Sequence, residues 1–226
     1  MTATSAAGKF GLRYGRLTIF MIPIGIATNF IGGQIAILLK LPIYLDSIGT
    51  ILVGALCGGL PGAVVGLISN IINSITSPTN LPYAVLSVMF GVLAGWLSRR
   101  GVFKSLWKTL LSSIPFALIG GVLGSLITLW VFGGLTGSGN GLLIGALRAL
   151  GMDTTSAVFV ASVPSDFVDK VPTVLIVFLI LKRIPSRLLV KLPLGSIYLK
   201  KKTPAVTPTV SNHVDGGDDD EITLGR

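Results

Sequence analysis

Charged residues are scarce in this sequence. They make up 12% of the 226 residues, whereas hydrophobic residues make up 51%, and the mean hydropathy is +0.82. A soluble domain usually carries about a quarter charged residues. Several apolar runs here reach the roughly 20 residues that a helix needs to cross a bilayer. The composition therefore excludes an ordinary soluble domain and predicts an integral membrane protein.

The residue types that carry most enzyme chemistry are also nearly missing. Cys57 is the one cysteine, which excludes an internal disulfide, and its apolar surroundings predict a buried, inert thiol. His213 is the one histidine and lies in a polar, acidic C-terminal stretch, so it predicts no paired nucleophile. The sequence also lacks the G-x-x-x-x-G-K-[ST] loop that cradles nucleotide phosphates. We therefore expect neither an enzyme nor an ATPase, and no cofactor or metal ion.

Acidic residues are few, and the basic excess has a pattern. The chain has 18 basic and 9 acidic residues, which gives a net charge of +9. The basic residues flank apolar runs instead of forming one soluble patch, so they do not predict a nucleic-acid partner. Lysine and arginine hold loops of membrane proteins on the cytoplasmic side. The clusters at 98–108 and 182–191 therefore mark two cytoplasmic ends.

The apolar runs predict an all-α bundle of six transmembrane helices with both termini in the cytoplasm. The predicted helices cover 17–39, 47–59, 61–76, 83–98, 109–133 and 154–181. A loop is expected at 77–82 and a short amphipathic helix within the outer loop at 141–150. Two stretches interrupt the last apolar segment, Pro164-Ser165-Asp166 and Asp169-Lys170-Val171-Pro172. Residues 1–16 form a cytoplasmic segment, 17–190 the membrane domain, and 191–226 a basic and then acidic cytoplasmic tail that we expect to be disordered.

The stretch at 42–76 organises the predicted bundle. It opens with Asp46, breaks at 58–62 and ends in Asn70 and Asn73, and glycine recurs every fourth residue from Gly54 to Gly66. That spacing stacks small residues on one helix face, where another backbone can approach closely. The stretch therefore predicts two short helices joined by a tight turn, with polar groups at the far end of each.

Polar side chains in or near the membrane segments are the candidate binding residues. Such groups are costly in a bilayer and usually face the bundle interior or an aqueous cavity. On the predicted topology they gather in the outer half, as a small polar ligand requires. The candidates are Asn29, Gln34, Tyr44, Asp46, Asn70, Asn73, Asn80, Tyr83, Trp130, Asp166, Asp169 and Lys170.

Each candidate also has a structural interpretation. Asn70 and Asn73 lie three residues apart, and asparagines on one helix face commonly form hydrogen bonds between helices. Lys170 is suitably placed for an ion pair with Asp166, four residues earlier, or with Asp46 from another helix. The aromatic candidates, among them Trp130, have interfacial anchoring as their default role.

The chemistry of the expected ligand stays open at this stage. Three acids with several amides suit a ligand that bears an amine or several hydroxyl groups. Lys40, Arg148 and Lys170 lie near the same site in the predicted topology, and these cations suit a carboxylate or phosphate instead. Pyridoxine-like, queuosine-related and cobalamin ligands all remain compatible.

Three stretches carry a resemblance to a known family. They are LPIYLDSIGTILVGALCGGLPGAVVGLISNII at 41–72, FGVLAGWLSRRG at 90–101 and DFVDKVPTVLIVFLILKRIP at 166–185. With the length and the six-helix layout, the sequence resembles the substrate-binding S components of energy-coupling factor (ECF) transporters, prokaryotic importers of vitamins. The resemblance spans about residues 10–190.

The resemblance implies a function and a set of partners. It implies that the chain lies in the prokaryotic plasma membrane, binds a vitamin or related micronutrient near the outer face, and delivers it inward when docked on a coupling subunit driven by two cytoplasmic ATPases. Family members dock through small residues on the first helix, typically two alanines four apart. Here Thr28, Gly32 and Ala36 stand at that spacing, without an Ala-x-x-x-Ala pair.

Two other classes of function compete with this one. A membrane sensory or scaffold module would use the charged tail to reach signalling partners. A self-sufficient secondary carrier would need no ATPases, but the two halves of the chain show no internal repeat, which many such carriers have. Uptake in cells that lack ECF ATPases separates the importer subunit from the carrier.

Overall fold

The regular secondary structure in the computed structural model is helical throughout the residues it describes, which are 14–39, 43–136 and 139–199. The helices are α1 (Arg16–Leu38), α2 (Ile48–Cys57), α3 (Gly59–Thr76), α4 (Ala84–Arg99), α5 (Leu106–Leu118), α6 (Gly124–Phe132), α7 (Gly139–Ala149), α8 (Thr154–Arg183) and α9 (Ser186–Leu189). These bounds match the six predicted segments within a few residues, with α5 and α6 forming the fifth.

Helix α2 is the centre of the bundle. All ten of its residues are buried, and it packs against α1, α3, α4 and α8. Its apolar side chains, such as Ile51, Val53 and Leu56, belong to the main hydrophobic core. At 1.5 Å per residue the helix is about 15 Å long, half the thickness of a bilayer core. Protein, and not lipid, therefore surrounds α2 on every side.

Backbone contact joins α2, α3 and α4. A Cβ atom on Gly62 would lie 2.7 Å from Gly54 Cα and 3.0 Å from Gly91 Cα, and one on Gly91 would collide with the backbone of Ala63. Only glycine permits this approach, which replaces side-chain contact by direct packing of helix backbones. The turn between α2 and α3 also requires glycine, because Gly58 has a φ of 108°. The four-residue glycine spacing thus permits the close backbone contact among α2, α3 and α4.

The fifth segment contains a feature that the sequence did not predict. Helices α5 and α6 are joined by a π-helical turn at Ile119–Leu123, so that Leu106–Phe132 runs as one helical segment of 27 residues. The turn packs against α8, where a Cβ on Gly121 would lie 2.8 Å from Val163 Cα. Such turns widen the helix by one residue and are frequent at functional sites.

The two stretches that interrupt the last apolar segment do not interrupt its helix. Helix α8 runs through both Pro164 and Pro172 and is 30 residues long. Proline removes one backbone hydrogen bond, but neighbouring helices hold the chain in helical geometry. Helix α8 packs against α5, α6 and α7 along its length, and this tertiary contact outweighs the local cost.

Two connecting segments also differ from the expectation. The expected loop at 77–82 is a 3₁₀-helix, Pro78–Tyr83. Residues 191–199, expected in a disordered tail, pack against the bundle: Leu192 and Leu194 are buried, and Gly195–Tyr198 forms a 3₁₀ turn. Leu189, Leu192 and Leu194 are buried against the bundle. A disordered tail would leave these apolar side chains exposed to water, so their burial favours an ordered segment. The predicted segment 1–13, Lys40 and the tail from 200, with His213, lie outside the described residues.

Four segments are long and apolar enough to cross a membrane. They are Arg16–Ala36, Gly59–Thr76, Pro78–Arg99 and Leu106–Phe132. Helix α8 has the length to cross, but three charged residues lie in its middle. The chain is therefore a multi-pass helical membrane protein.

Candidate functional site

One end of the bundle is basic. The C-terminal ends of α2 and α4 meet there: Ser98 Oγ donates to Ala55 O at 2.6 Å, and Leu194 N donates to Leu56 O at 2.9 Å. Burial raises the pKa of Tyr198 to about 12, so its neutral hydroxyl bonds to Ser98 at 2.6 Å. The exposed cations of this end are Arg99, Arg100, Lys104, Lys108, Lys182, Arg183, Arg187 and Lys191.

A polar cavity lies toward the other end, where α1–α2, α3–α4 and α6–α7 are connected. The centre of a water molecule can occupy about 100 Å³ of it, and one water needs about 10–15 Å³ by this measure. It therefore has room for a small organic molecule. Seven predicted binding residues line it: Tyr44, Asp46, Asn70, Asn80, Tyr83, Asp166 and Lys170.

Residues that the sequence did not single out as binding residues complete the wall. They include Thr79, Ser87, Phe90, Gly120, Thr128, Asn140 and Ser162. Neutral hydroxyls and glycines in membrane helices, such as Ser87 and Gly120, carry no sequence signal beyond close packing. The one available signal was position, since Thr128 lies two residues before Trp130 at the same helix end.

Asp169 holds the charged residues in place from behind the cavity wall. It is fully buried, and its Oδ1 accepts hydrogen bonds from the backbone N–H groups of Tyr44 and Leu45, both at 2.9 Å. Its Oδ2 pairs with the ammonium group of Lys170. Because Leu45 has a positive φ of 50°, this carboxylate also stabilises a strained turn. Asp169 is therefore a positioning residue that ties the α1–α2 connection to α8.

The ammonium group of Lys170 is enclosed by the protein. Besides Asp169, it donates to Ser47 Oγ at 3.3 Å and lies 4.7 Å from the centroid of the Phe90 ring. Asp166 Oδ1 is 3.9 Å away. The lysine is 2% exposed, so its three donors are directed at protein groups. The ion pair that the sequence left as an alternative is present.

Asp166 has a different environment from Asp169. Among the residues that the structure describes, nothing donates a hydrogen bond to Asp166, and Lys170 is its one ion-pair partner. The carboxylate packs against Gly120 in the π-helical turn: a Cβ there would collide with Asp166 Oδ1 and lie 2.9 Å from its Cγ. The missing side chain at Gly120 therefore makes room for the carboxylate at the cavity wall.

Neutral groups position the remaining wall. Asn70 Nδ2 donates to Gly66 O at 3.1 Å and to Ser87 Oγ at 2.5 Å, which links α3 with α4. The Tyr83 hydroxyl bonds to Thr128 Oγ1 at 2.6 Å. Asn70 therefore makes the interhelical bond that the sequence allowed while also lining the cavity.

Helix α7 is fastened over this side of the site. Asn140 Nδ2 donates to Ser162 Oγ at 2.9 Å, and Ser165 Oγ donates to Asn140 Oδ1 at 3.3 Å. Ile144 on the same helix is fully buried against Ala157 and the residues around it on α8. The amphipathic helix predicted at 141–150 is thus present as α7, and its first turn contributes Asn140 to the cavity wall.

Five predicted binding residues do not line the cavity: Asn29, Gln34, Asn73, Trp130 and Asp169. Trp130 is 84% exposed on the outside of the bundle, where an interfacial aromatic residue is expected. Asn73 is buried in α3, and Gln34 is half-buried on α1.

Asn29 has a structural environment. Its Oδ1 accepts from Gly49 N at 2.7 Å and Thr50 N at 3.3 Å, and its Nδ2 donates to the hydroxyls of Thr50 and Ser69 at 2.8 and 3.0 Å. The first-turn N–H groups of a helix need such an acceptor. Ser47 precedes α2 but makes no side-chain cap, so Asn29 caps α2 from a neighbouring helix.

The predicted docking residues are mostly turned inward. A Cβ on Gly32 would collide with Leu45 O, and Ala36 is 4% exposed. Thr28 is half-buried, and its hydroxyl bonds to Ile24 O in its own helix. Gly32 and Ala36 serve packing within the chain, because the small-residue spacing cannot reveal which helix fills it.

The fold and the cavity define a class of protein. A multi-pass helical membrane protein with a charged cavity near one end is built to bind a small molecule. A family model described as "ECF transporter, substrate-specific component" matches residues 17–181. The chain belongs to this family and is a substrate-binding membrane subunit, a class that is not itself an ATPase. No curated protein and no solved structure matched the chain.

Proposed function

We propose that this chain captures a vitamin or related micronutrient at the outer face of a prokaryotic plasma membrane. It then delivers the ligand inward when docked on an ECF coupling subunit driven by two ATPases. The observation that carries the proposal is the cavity with the buried, largely unpartnered Asp166 in its wall, at the end of the bundle opposite the basic cluster. A membrane protein with this arrangement presents a binding site to one side only.

The distribution of charge supports an outward-facing site. Basic residues mark cytoplasmic ends of membrane helices, and most exposed cations lie at the ends of α4 and α8 and the start of α5, whereas Arg148 on α7 is the one exposed cation near the cavity end among the described residues. The chain connections then support a cavity on the outer side. Counting α5 and α6 as one segment, α1, α2, α3, α4, α5–α6 and α8 make six passages between the two ends. On this proposal both termini are cytoplasmic.

Family membership supports the partners, and exposure suggests where they meet this chain. The outward side of α1 carries apolar residues that the bundle leaves uncovered, among them Phe20, Ile24, Ile31 and Ile35. Lipid covers such a surface by default, and a membrane-embedded coupling subunit is a second apolar partner for it. Thr28 is the member of the predicted docking set that remains partly exposed beside this face.

The test is uptake with and without the proposed energy source. The chain is produced with an ECF coupling subunit and its two ATPases, and accumulation of radiolabelled vitamins is measured. We expect accumulation that requires both the chain and the ATPases, together with co-purification of all four proteins in mild detergent. Uptake that persists with inactive ATPases would indicate a self-sufficient carrier. Recovery of a signalling protein with no uptake would indicate a sensory module.

A further inference from the structure

The charges around the cavity specify the ligand further. Resting on the proposed function, we infer that the ligand is a small organic cation whose positively charged nitrogen is bound by the carboxylate of Asp166. The sequence alone left both an amine and a carboxylate or phosphate open. The balance of acidic and basic groups around the cavity, together with the contacts of Lys170 and Asp166, favours the amine.

The first step is the balance of charge. Asp46, Asp166 and Lys170 line the cavity, and Asp169 lies directly behind its wall. Three acidic groups thus stand against one basic group. Arg148, which the sequence placed near the site, is exposed and does not line it. Over the described part of the chain, the site therefore has an excess of acidic groups with which a ligand cation can pair.

The second step is that Lys170 is not available to an anionic ligand. Asp169 binds its ammonium group directly, Ser47 accepts a further hydrogen bond, and the Phe90 ring covers another side. A ligand carboxylate would have to compete with Asp169 for this ammonium group, and the buried charge of Asp169 would be costly to leave unpaired. This cation balances the protein's own carboxylates.

The third step is that Asp166 is available. It is 8% exposed, lines the cavity, and receives no hydrogen bond from any residue that the structure describes. Its one ionic contact, with Lys170, spans 3.9 Å, which is longer than a charge-assisted hydrogen bond of about 2.7–2.9 Å. A buried carboxylate needs donors, and a protonated nitrogen supplies both donors and the missing charge.

The remaining wall suits the rest of such a ligand. Asn70, Ser87, Thr128 and Asn140 offer neutral polar groups, while Phe90 and Tyr83 offer aromatic surface. A metal ion fits less well, because the described His, Cys, Asp and Glu side chains include no group of three that could hold one. The geometry therefore points to an organic cation about the size of one polar ring.

The experiment compares ligands that differ only in the charge of one substituent. The full chain is purified in detergent, and dissociation constants at neutral pH are measured for pyridoxamine, pyridoxine and 4-pyridoxic acid. Benzylamine, benzyl alcohol and benzoate form a second series with another ring. In the series that binds, we expect the amine to bind at least about tenfold more tightly than the alcohol, and the acid most weakly.

Variants connect this preference to Asp166. Asp166→Asn should reduce the preference for the amine over the alcohol to less than about threefold. Gly120→Ala, which keeps the charge but displaces the carboxylate, should reduce it as well. Asp153→Asn is the matched control on the same helix: Asp153 is exposed and caps α8 through Ser156 N at 2.9 Å, and asparagine also caps helices. Thermal unfolding of each variant verifies that it is folded.

Three results overturn the inference. An alcohol or acid that binds as tightly as its amine would refute the cationic ligand while leaving the proposed capture function intact. A preference for the amine that survives Asp166→Asn would show that another group selects the charge. Failure of all six compounds to bind would refute a one-ring cation as the ligand, whereas the proposed capture function is decided separately by ATPase-dependent uptake.

Discussion

Asn29→Ala should destabilise the protein without weakening its ligand site. The Asn29 side chain is fully buried, caps the start of α2 through its oxygen and bonds two hydroxyl groups through its nitrogen. Alanine removes all four hydrogen bonds and leaves Gly49 N without its closest acceptor. Because α2 is the centre of the core, the damage is to the fold rather than to the cavity wall.

The magnitude follows from the separate contacts. Loss of a helix cap costs about 1 kcal/mol. Hydrogen bonds between membrane helices average about 0.6 kcal/mol, and a buried group left without a partner costs about 1–3 kcal/mol. We expect a total loss of about 2–4 kcal/mol, since the Thr50 and Ser69 hydroxyl oxygens lose only the donor that Asn29 supplies and remain free to donate their own hydrogens. For a protein of this size each kcal/mol lowers the melting temperature by roughly 2–4 °C.

The assay is thermal unfolding of the purified chain in detergent, alongside ligand affinity of the folded protein. Thr28→Ala is the matched control, because Thr28 is the preceding residue on α1 and bonds only within its own helix. We expect its stability to change by less than about 0.5 kcal/mol. An Asn29→Ala protein as stable as this control would refute the structural role. A large loss of ligand affinity at unchanged stability would return Asn29 to the binding site.

Three further perturbations have defined outcomes. Gly91→Ala places a methyl group against the α3 backbone and should cost about 2–3 kcal/mol in thermal unfolding, whereas Gly145→Ala, with open space around it, should cost nothing. Lys170→Met should destabilise by about 3–5 kcal/mol because Asp169 is left unpaired, and adding Asp169→Asn should recover part of that loss. Tyr198→Phe should lower stability by about 1 kcal/mol and increase hydrogen exchange in 186–199; unchanged exchange would show that the hydroxyl does not hold this segment.

The helices could be predicted from the sequence because apolar runs report them directly. Helix α2 is short, yet the glycine spacing and its polar start predicted it to within two residues. The continuity of α8 through Pro164 and Pro172 could not be read from local rules, because packing on both sides of the helix decides it. The prediction of disorder at 191–199 was wrong because the basic composition of the tail obscured Leu192 and Leu194. Neither feature can be predicted from the sequence without knowing which helices pack against these two segments.

The site could be predicted in part, through the cost of polar groups in a bilayer. That rule identified Asp166, Lys170 and Tyr83, which line the cavity. It selected Asn29 as well, because the cost alone does not distinguish a side chain that caps a neighbouring helix from one that faces a ligand. It missed Gly120, since the contribution of that residue is the absence of a side chain. Such a contribution is visible only when the carboxylate that occupies the space is placed.

The complete burial of α2 has a consequence for how the protein enters the membrane. A segment of ten residues is too short to be stable in lipid alone, where a helix needs about 20. It also begins with N–H groups that Asn29 of α1 must satisfy. During synthesis α2 therefore has to be inserted together with α3 as a hairpin folded about Gly58, against an α1 that is already in place. Because α1 precedes α2 and α3 in the chain, it is synthesised before the hairpin that packs against it.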